Sequence, residues 1–443
     1  MAYSKTVQAV LKKLNAEAGD RLRVETPKGV FEGILLPRPD ASGTEESEGI
    51  LILKLYNGYN VGLALEGARL EKLEGKTALE RFDSWTPPLI AKHKLSLVAT
   101  GGTIGTRVDY KTGGVYMLLE PDQILARVPE LANLAAFSLK SPFRKASEDM
   151  DYKDWQLLAR QVAEELNSDS QGVLITHGTD ILHYTAAALS FMLPNLNKPV
   201  AVVGAQRSPD RGSFDGAQNL VCASHYCLSD AAEVCVVMHG SSSDDYCLAN
   251  IGTKVRKMHT SRRDAFRPVN CSPLARIWPD GKSEFYWKDF RHRTDEKVVP
   301  DTAFEPKVAA IKPFPGQTGE LIDFYVEKKY RGILIEAWAL GHVPATAKHS
   351  WIPSIKRALE EGVFVAVTSQ ALYGRVHPHV YANLRKVSSL GVLYCEDMLP
   401  ETAFVKLGWV LGHTKDAQEI AQRMLTNVAH EINPRHQQED FLG

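Results

Sequence analysis

Two threonines stand where apolar runs break at glycines. Residues 97–105 read LVATGGTIG, and paired glycines at the carboxyl end of a buried strand permit a tight turn and close ligand approach, presenting the Thr103 hydroxyl. Residues 174–189 read LITHGTDILHYTAAAL. Val173, Leu174 and Ile175 form a short apolar strand there, His177 and Gly178 break it, and Ile181, Leu182, Thr185, Ala188, Leu189 and Met192 recur at helical spacing. Thr179 and Asp180 then fall at the N-terminus of a helix, where capping accounts for both residue types without any chemistry.

Two further stretches end strands or carry charge. In VVGAQRSPDRGSFDG at 202–216, Ala205 follows a strand and can offer its backbone N–H at the same edge, while Asp215 reads as a helix cap. In NIGTKVRKMHTSRRDAFR at 250–267, five lysines or arginines lie between 254 and 263 with no acid before Asp264. Such a run is ordinarily a solvated face, but a lysine buried beside Asp180 could lose its proton and act as a base. Together these residues supply what amide hydrolysis needs: a nucleophile, a base, an oxyanion site and a grip on the substrate, with no metal required. A dinucleotide fingerprint would need glycine at 100, 102 and 105, and residue 100 is threonine, so a nucleotide cofactor loses its best support.

The surrounding elements divide the chain into three textures. Residues 19–75 alternate apolar and polar residues in short runs broken by Gly, Pro and Asn, the pattern of a small barrel of about five strands. SGTEESEG at 42–49 reads as a solvated hairpin tip, and SWTPPLIAKHK at 84–94 as a linker. From residue 95, strands such as KLSLVATGG, GVLIT and PVAVVGAQ alternate with helices such as PDQILARVPELANL and YKDWQLLARQVAEELNS, which predicts a parallel sheet covered on both faces. Residues 281–305 are charged and weakly periodic, a connector, and a second alternating block follows before two closing helices.

Composition excludes little else. The chain has 443 residues, 44% hydrophobic and 24% charged, and 52 basic against 53 acidic side chains leave a formal charge of -1. That balance announces neither a nucleic-acid nor a membrane partner. The six cysteines lack C-x-x-C spacing and read as reduced, mostly buried thiols. The start lacks the apolar core of a signal peptide, and no stretch nears the roughly 20 apolar residues that span a bilayer, so the default location is cytoplasmic.

ATGGTI at 99–104, ITHGTD at 175–180, VVGAQR at 202–207 and a lysine in VRKMHTSRRDAF follow in the order of the bacterial-type L-asparaginase and glutaminase family, which the chain resembles from about residue 93 onward. The module before it, with GDRLRVE and KLYNGYN, resembles the N-terminal domain of the GatD component of archaeal glutamyl-tRNA(Gln) amidotransferases, and CEDMLPETAFVKLGWVLG also resembles that component. The resemblance implies an N-terminal small β-barrel at 1–85, a large asparaginase-like parallel-sheet α/β domain at 86–305 that includes the connector, and a smaller C-terminal α/β domain at 306–443. Carried over motif by motif, it implies Thr103 as nucleophile and Thr179, Asp180 and Lys257 as a second group that assists proton transfer and activates water. It prefers Lys257 to Lys254, gives Ser147 and Glu148 of SEDM and Ala205 to the substrate, and makes Tyr110 or Tyr116 a mobile-loop tyrosine. Glu148 stands where free asparaginases usually carry Gln.

The same resemblance implies a glutaminase component that hands ammonia to a kinase and transamidase partner, the E component of the same amidotransferase, for amidation of Glu-tRNA(Gln). ATP and Mg would bind in that partner and no cofactor in this chain, within a heterotetramer containing a homodimer of this chain and no membrane. The alternative is a free-standing type I L-asparaginase with a fused accessory barrel. A third reading, a non-catalytic binding module that keeps the fold, fits less well because Thr103, Thr179, Asp180 and Lys257 are all present.

Overall fold

The computed structural model describes residues 3–36, 49–55, 60–74, 92–108, 115–117, 120–209, 214–346 and 348–441. Residues 42–48 of the hairpin tip read at 42–49, most of the linker read at 84–94 and Tyr110 lie outside the described residues.

The N-terminal unit opens with the helix Lys5–Lys13, whose Val7 and Leu11 are buried. Five strands follow: β1 (Arg21–Thr26), β2 (Gly29–Leu35), β3 (Ile50–Leu55), β4 (Asn60–Ala64) and β5 (Arg69–Lys72). They form one antiparallel sheet in the order β4-β3-β2-β1-β5. Alternation puts Leu22, Val24, Leu51 and Leu53 on the face that meets the helix, giving this unit its own core.

The central unit is an eight-stranded sheet. After β6 (Lys94–Ala99), a small hairpin of β7 (Thr106–Val108) and β8 (Val115–Met117) stands apart from it. Strands β9 (Ala136–Lys140), β10 (Val173–Thr176), β11 (Val200–Val203) and β12 (Val234–His239) join β6 in parallel, in the order β9-β6-β10-β11-β12. Beyond β12 the sheet turns antiparallel through β13 (Cys247–Ile251), while β14 (Val255–Lys257) and β15 (Phe266–Pro268) form a separate hairpin. β16 (Ala275–Ile277) and β17 (Ser283–Phe285) complete the edge. The sheet is therefore mixed where the strand and helix alternation predicts a parallel one, and the stretch read as a connector contributes its edge strand β17. Short connections without a crossover helix allow antiparallel pairing there.

Pro129 divides the predicted helix 121–134 into Pro121–Ala126 and a short turn Pro129–Asn133, since proline removes a helical N–H. The third unit is a parallel sheet, β18 (Val308–Ile311), β19 (Gly332–Ala337), β20 (Phe364–Ser369) and β21 (Leu393–Tyr394). It ends in the helices Pro400–Leu411 and Ala417–Leu425.

One face of the central sheet packs on the helix Gly216–Cys227. The other packs on Tyr152–Leu166 and Leu182–Met192, and that core runs on through Pro400–Leu411 to Val308, Leu334 and Ala366 of the third unit. The alanines at 186, 187 and 188 let Leu182–Met192 bury every residue but Tyr184. All six cysteines are free, and burial pushes Cys227, Cys271 and Cys395 up to about 12. Among the described residues no helix is long and apolar enough to cross a membrane.

Candidate active site

β6 and β10 are parallel neighbours with Ala99 opposite Thr176, so the turns that follow them open side by side at one sheet edge. Gly101 and Gly102 have φ of 113° and 80°, conformations natural to glycine. A Cβ on Gly101 would stand 2.4 Å from the Lys145 carbonyl oxygen, and one on Gly102 would stand 2.3 Å from the Gly178 nitrogen and Cα. Only two residues without side chains let the first turn nest against the second. Thr103 then starts a short 3-10 turn, Thr103–Gly105, whose first carbonyl accepts a 2.6 Å bond from Thr106 Oγ1. Its own hydroxyl has no hydrogen-bond partner among the described residues.

Of the other proposed substrate residues, Ser147 lies against Gly178. A Cβ on Gly178 would meet Ser147 Cβ at 2.7 Å and Oγ at 2.8 Å. Ser147 is buried, and Glu148 beside it is exposed. A Cβ on Gly204, the residue after β11, would meet Thr179 Cγ2 at 2.8 Å, and buried Ala205 follows it. Tyr116 lies in β8 with its backbone opposite Arg107.

The lysine-bearing hairpin closes the arrangement. Lys257, the last residue of β14, donates from Nζ to Thr179 Oγ1 at 2.9 Å and to Asp180 Oδ1 at 2.8 Å. Its side chain is 11% exposed and that of Asp180 is 64% exposed, so the amine is shielded while the carboxylate that holds it faces solvent. Lys254 lies elsewhere: its Nζ meets Asp397 Oδ2 at 2.6 Å with both side chains fully buried. Arg256 Nε approaches Glu401 Oε1 at 3.2 Å. The segment before Pro400–Leu411 and that helix's first turn thus hold the chain at two residues just before Lys257. The basic run is in part a set of buried anchors, where a solvated face is the ordinary expectation.

Two expectations at this edge are corrected. The helix after β10 starts at Leu182 with Ile181 as N-cap and no side-chain capping bond, so Thr179 and Asp180 stand before it and do not cap it. Asp215 stands at the N-cap position of Gly216–Cys227, but its side chain makes no capping bond; its carboxylate accepts the backbone N–H groups of Gln206 and Arg207 at 3.0 Å and fixes the loop after Ala205. Burial raises the pKa of that carboxyl against those bonds.

His177 is a site residue that strand and helix patterns alone do not mark. Trp155 Nε1 donates to Thr185 Oγ1 at 3.0 Å, which lies 2.9 Å from His177 Nε2, and His177 Nδ1 lies 2.6 Å from the Gly178 carbonyl oxygen. With Nδ1 carrying the hydrogen, each donor of the Trp155, Thr185 and His177 series finds an acceptor and the turn before Thr179 is locked. Full burial lowers the His177 pKa to about 4, keeping the ring neutral. Its sequence signal was its place inside ITHGTD. Asp397 and Glu401 carried no spacing relation to Lys257, and only contact reveals them.

Among the described residues no group of His, Cys, Asp or Glu side chains is arranged to hold a metal ion. The arrangement can present one hydroxyl to an electrophile and couple a second to an amine, the parts of a two-step acyl transfer.

Residues 94–291 match the family "Asparaginase, N-terminal", residues 307–424 the "Glutaminase/Asparaginase C-terminal domain", and residues 16–73 the "GatD N-terminal domain". The chain is 50% identical to the GatD component of the glutamyl-tRNA(Gln) amidotransferase of Pyrococcus furiosus, across 98% of this chain and 99% of that one. It is 40% identical to the component of the same name from Methanobrevibacter smithii across the whole of both. Among solved structures, the thermostable L-asparaginase from Thermococcus kodakarensis superposes with a TM-score of 0.70 at 28% identity, covering 77% of this chain and 100% of that one. L-asparaginase I from Vibrio cholerae gives 0.66 at 28%, with the same coverage.

Proposed function

The chain belongs to the GatD family of glutamyl-tRNA(Gln) amidotransferase components, built on the asparaginase fold, and we propose that it hydrolyses glutamine and supplies the ammonia that converts Glu-tRNA(Gln) to Gln-tRNA(Gln). One observation carries the chemistry: Lys257 Nζ lies within hydrogen-bond distance of both Thr179 Oγ1 and Asp180 Oδ1, at the sheet edge where Thr103 is presented.

In this reading Thr103 Oγ attacks the side-chain amide carbon of glutamine. The backbone N–H of Ala205, in a loop fixed by Asp215, stabilises the oxyanion. The C–N bond breaks, ammonia leaves with the proton from the hydroxyl, and an acyl-threonine ester remains. Thr179, Lys257 and Asp180 relay that proton and then activate the water that releases glutamate. Ser147 and Glu148 grip the α-carboxylate and α-ammonium ends, and Tyr110 or Tyr116 closes over Thr103.

The ammonia passes to a partner, the E component of the amidotransferase, which binds ATP and Mg, activates the misacylated glutamate and amidates it. The working assembly is a heterotetramer holding a homodimer of this chain, in the cytoplasm. The test is glutamate release from glutamine by the purified chain, alone and then with partner and glutamyl-tRNA(Gln). Likeness to L-asparaginases across 77% of the chain favours one second reading, a free-standing L-asparaginase with an accessory module. Full turnover of asparagine without tRNA, by a chain that purifies with no partner, would establish that reading and overturn the first.

A further inference from the structure

His239 ends β12 with its side chain fully buried, and no step of the proposed mechanism uses it. Its Nδ1 lies 2.6 Å from Asn219 Oδ1, and its Nε2 lies 3.0 Å from Asp244 Oδ1. The Asn219 amide has one orientation, because its Nδ2 donates at 3.0 Å to the Gly204 carbonyl oxygen, which only accepts. His239 Nδ1 therefore donates to Asn219. The same oxygen of Asp244 that faces Nε2 also accepts from Arg263 Nη1 at 2.6 Å. Nε2 meets an acceptor and carries a hydrogen as well, so the ring bridges Asn219 and Asp244 as an imidazolium. A charge in the interior costs free energy that an apolar side chain at this position would avoid.

The contacts of His239 belong to a closed ring of interactions beside the site. Gly204 opens the loop whose Ala205 N–H serves the oxyanion in the glutaminase reading, on which this inference rests. Three residues on, Arg207 Nη1 donates to the Ser261 carbonyl oxygen at 2.8 Å. Ser261 lies between β14, which ends in Lys257, and β15. From the same segment Arg263 reaches back to Asp244 and to the Ser242 carbonyl oxygen, both in the loop after β12. We propose that His239 is a positioning residue, which joins Asn219 to Asp244 and so holds the oxyanion loop in register with the hairpin that bears Lys257. Asp244, at the far end of this link, is 65% exposed, so the link can be cut from the surface without opening the core.

The test is glutamate release from glutamine by the full-length protein with partner and glutamyl-tRNA(Gln), resolved into kcat and KM, with urea unfolding to establish that each variant folds. Asp244→Ala removes the exposed end of the link. His239→Asn keeps an N–H where Nδ1 stood, for Asn219, and loses the reach to Asp244. Each is expected to lower kcat about tenfold with KM changed far less, and the double variant to lose no more than either single one, because all three break the same link. His239→Leu, which breaks both links, is expected to lower kcat about a hundredfold. Wild-type kcat in folded Asp244→Ala, or losses that multiply in the double variant, overturns the assignment while glutamine hydrolysis stands. A wild type that releases no glutamate overturns the glutaminase reading, and this role of His239 falls with it.

Discussion

Gly102 and Gly178 pack so closely that a single methyl group on the first would overlap the backbone of the second, at 2.3 Å. The two turns that carry Thr103 and Thr179 are therefore one fitted unit. Gly102→Ala would add a left-handed φ penalty of about 1–2 kcal/mol to that overlap. Chemical denaturation is expected to show a loss of more than about 2 kcal/mol, and glutamate release should fall further than stability does, because the turn must shift. A variant with wild-type turnover would show that the fit is dispensable.

Removal of the relay amine should separate chemistry from binding. Lys257→Met keeps the unbranched stem of the side chain, one atom shorter, and removes both bonds to Thr179 and Asp180. The expected result is a drop in kcat of about 10²–10⁴ with KM changed far less, measured by glutamate release. Thr103→Ala should abolish the acyl intermediate altogether.

The buried pair Lys254 and Asp397 gives a stability prediction with a built-in control. Asp397→Asn leaves a fully buried ammonium without its counter-charge and should cost about 3–5 kcal/mol. Replacing both partners, Lys254→Met with Asp397→Leu, should recover most of that loss in urea unfolding. Recovery of stability without recovery of kcat would show that the pair also holds the hairpin bearing Lys257.

His177 sets a pH dependence. Its pKa falls from 6.5 unfolded to about 4 folded, so the unfolded chain binds the extra proton between these values. Its contribution is complete above about pH 6.5 and is lost as pH falls toward 4, amounting to about 3 kcal/mol in full. The difference in unfolding free energy between wild type and His177→Gln should shrink over that window. A difference that stays constant with pH would contradict the buried neutral ring.

The sequence by itself determined the local pieces of this protein: the strand ends, the glycine turns, the three textures of the chain, and the order of motifs that marks its resemblance. These are legible because they depend on neighbours in sequence, through periodicity and backbone freedom at glycine. β10 and the helices at 182–192 and 400–411 fall where apolar spacing puts them. The tertiary structure decided what depends on neighbours in space. It set Lys257, and not Lys254, against Thr179 and Asp180, across 78 and 77 residues of chain. It made Asp215 a loop anchor, took Thr179 and Asp180 off the helix cap, turned the far side of the central sheet antiparallel, and brought Glu401 to Arg256. Lysines three residues apart have the same chemistry on paper, and only packing makes one a buried strut and aims the other at a hydroxyl.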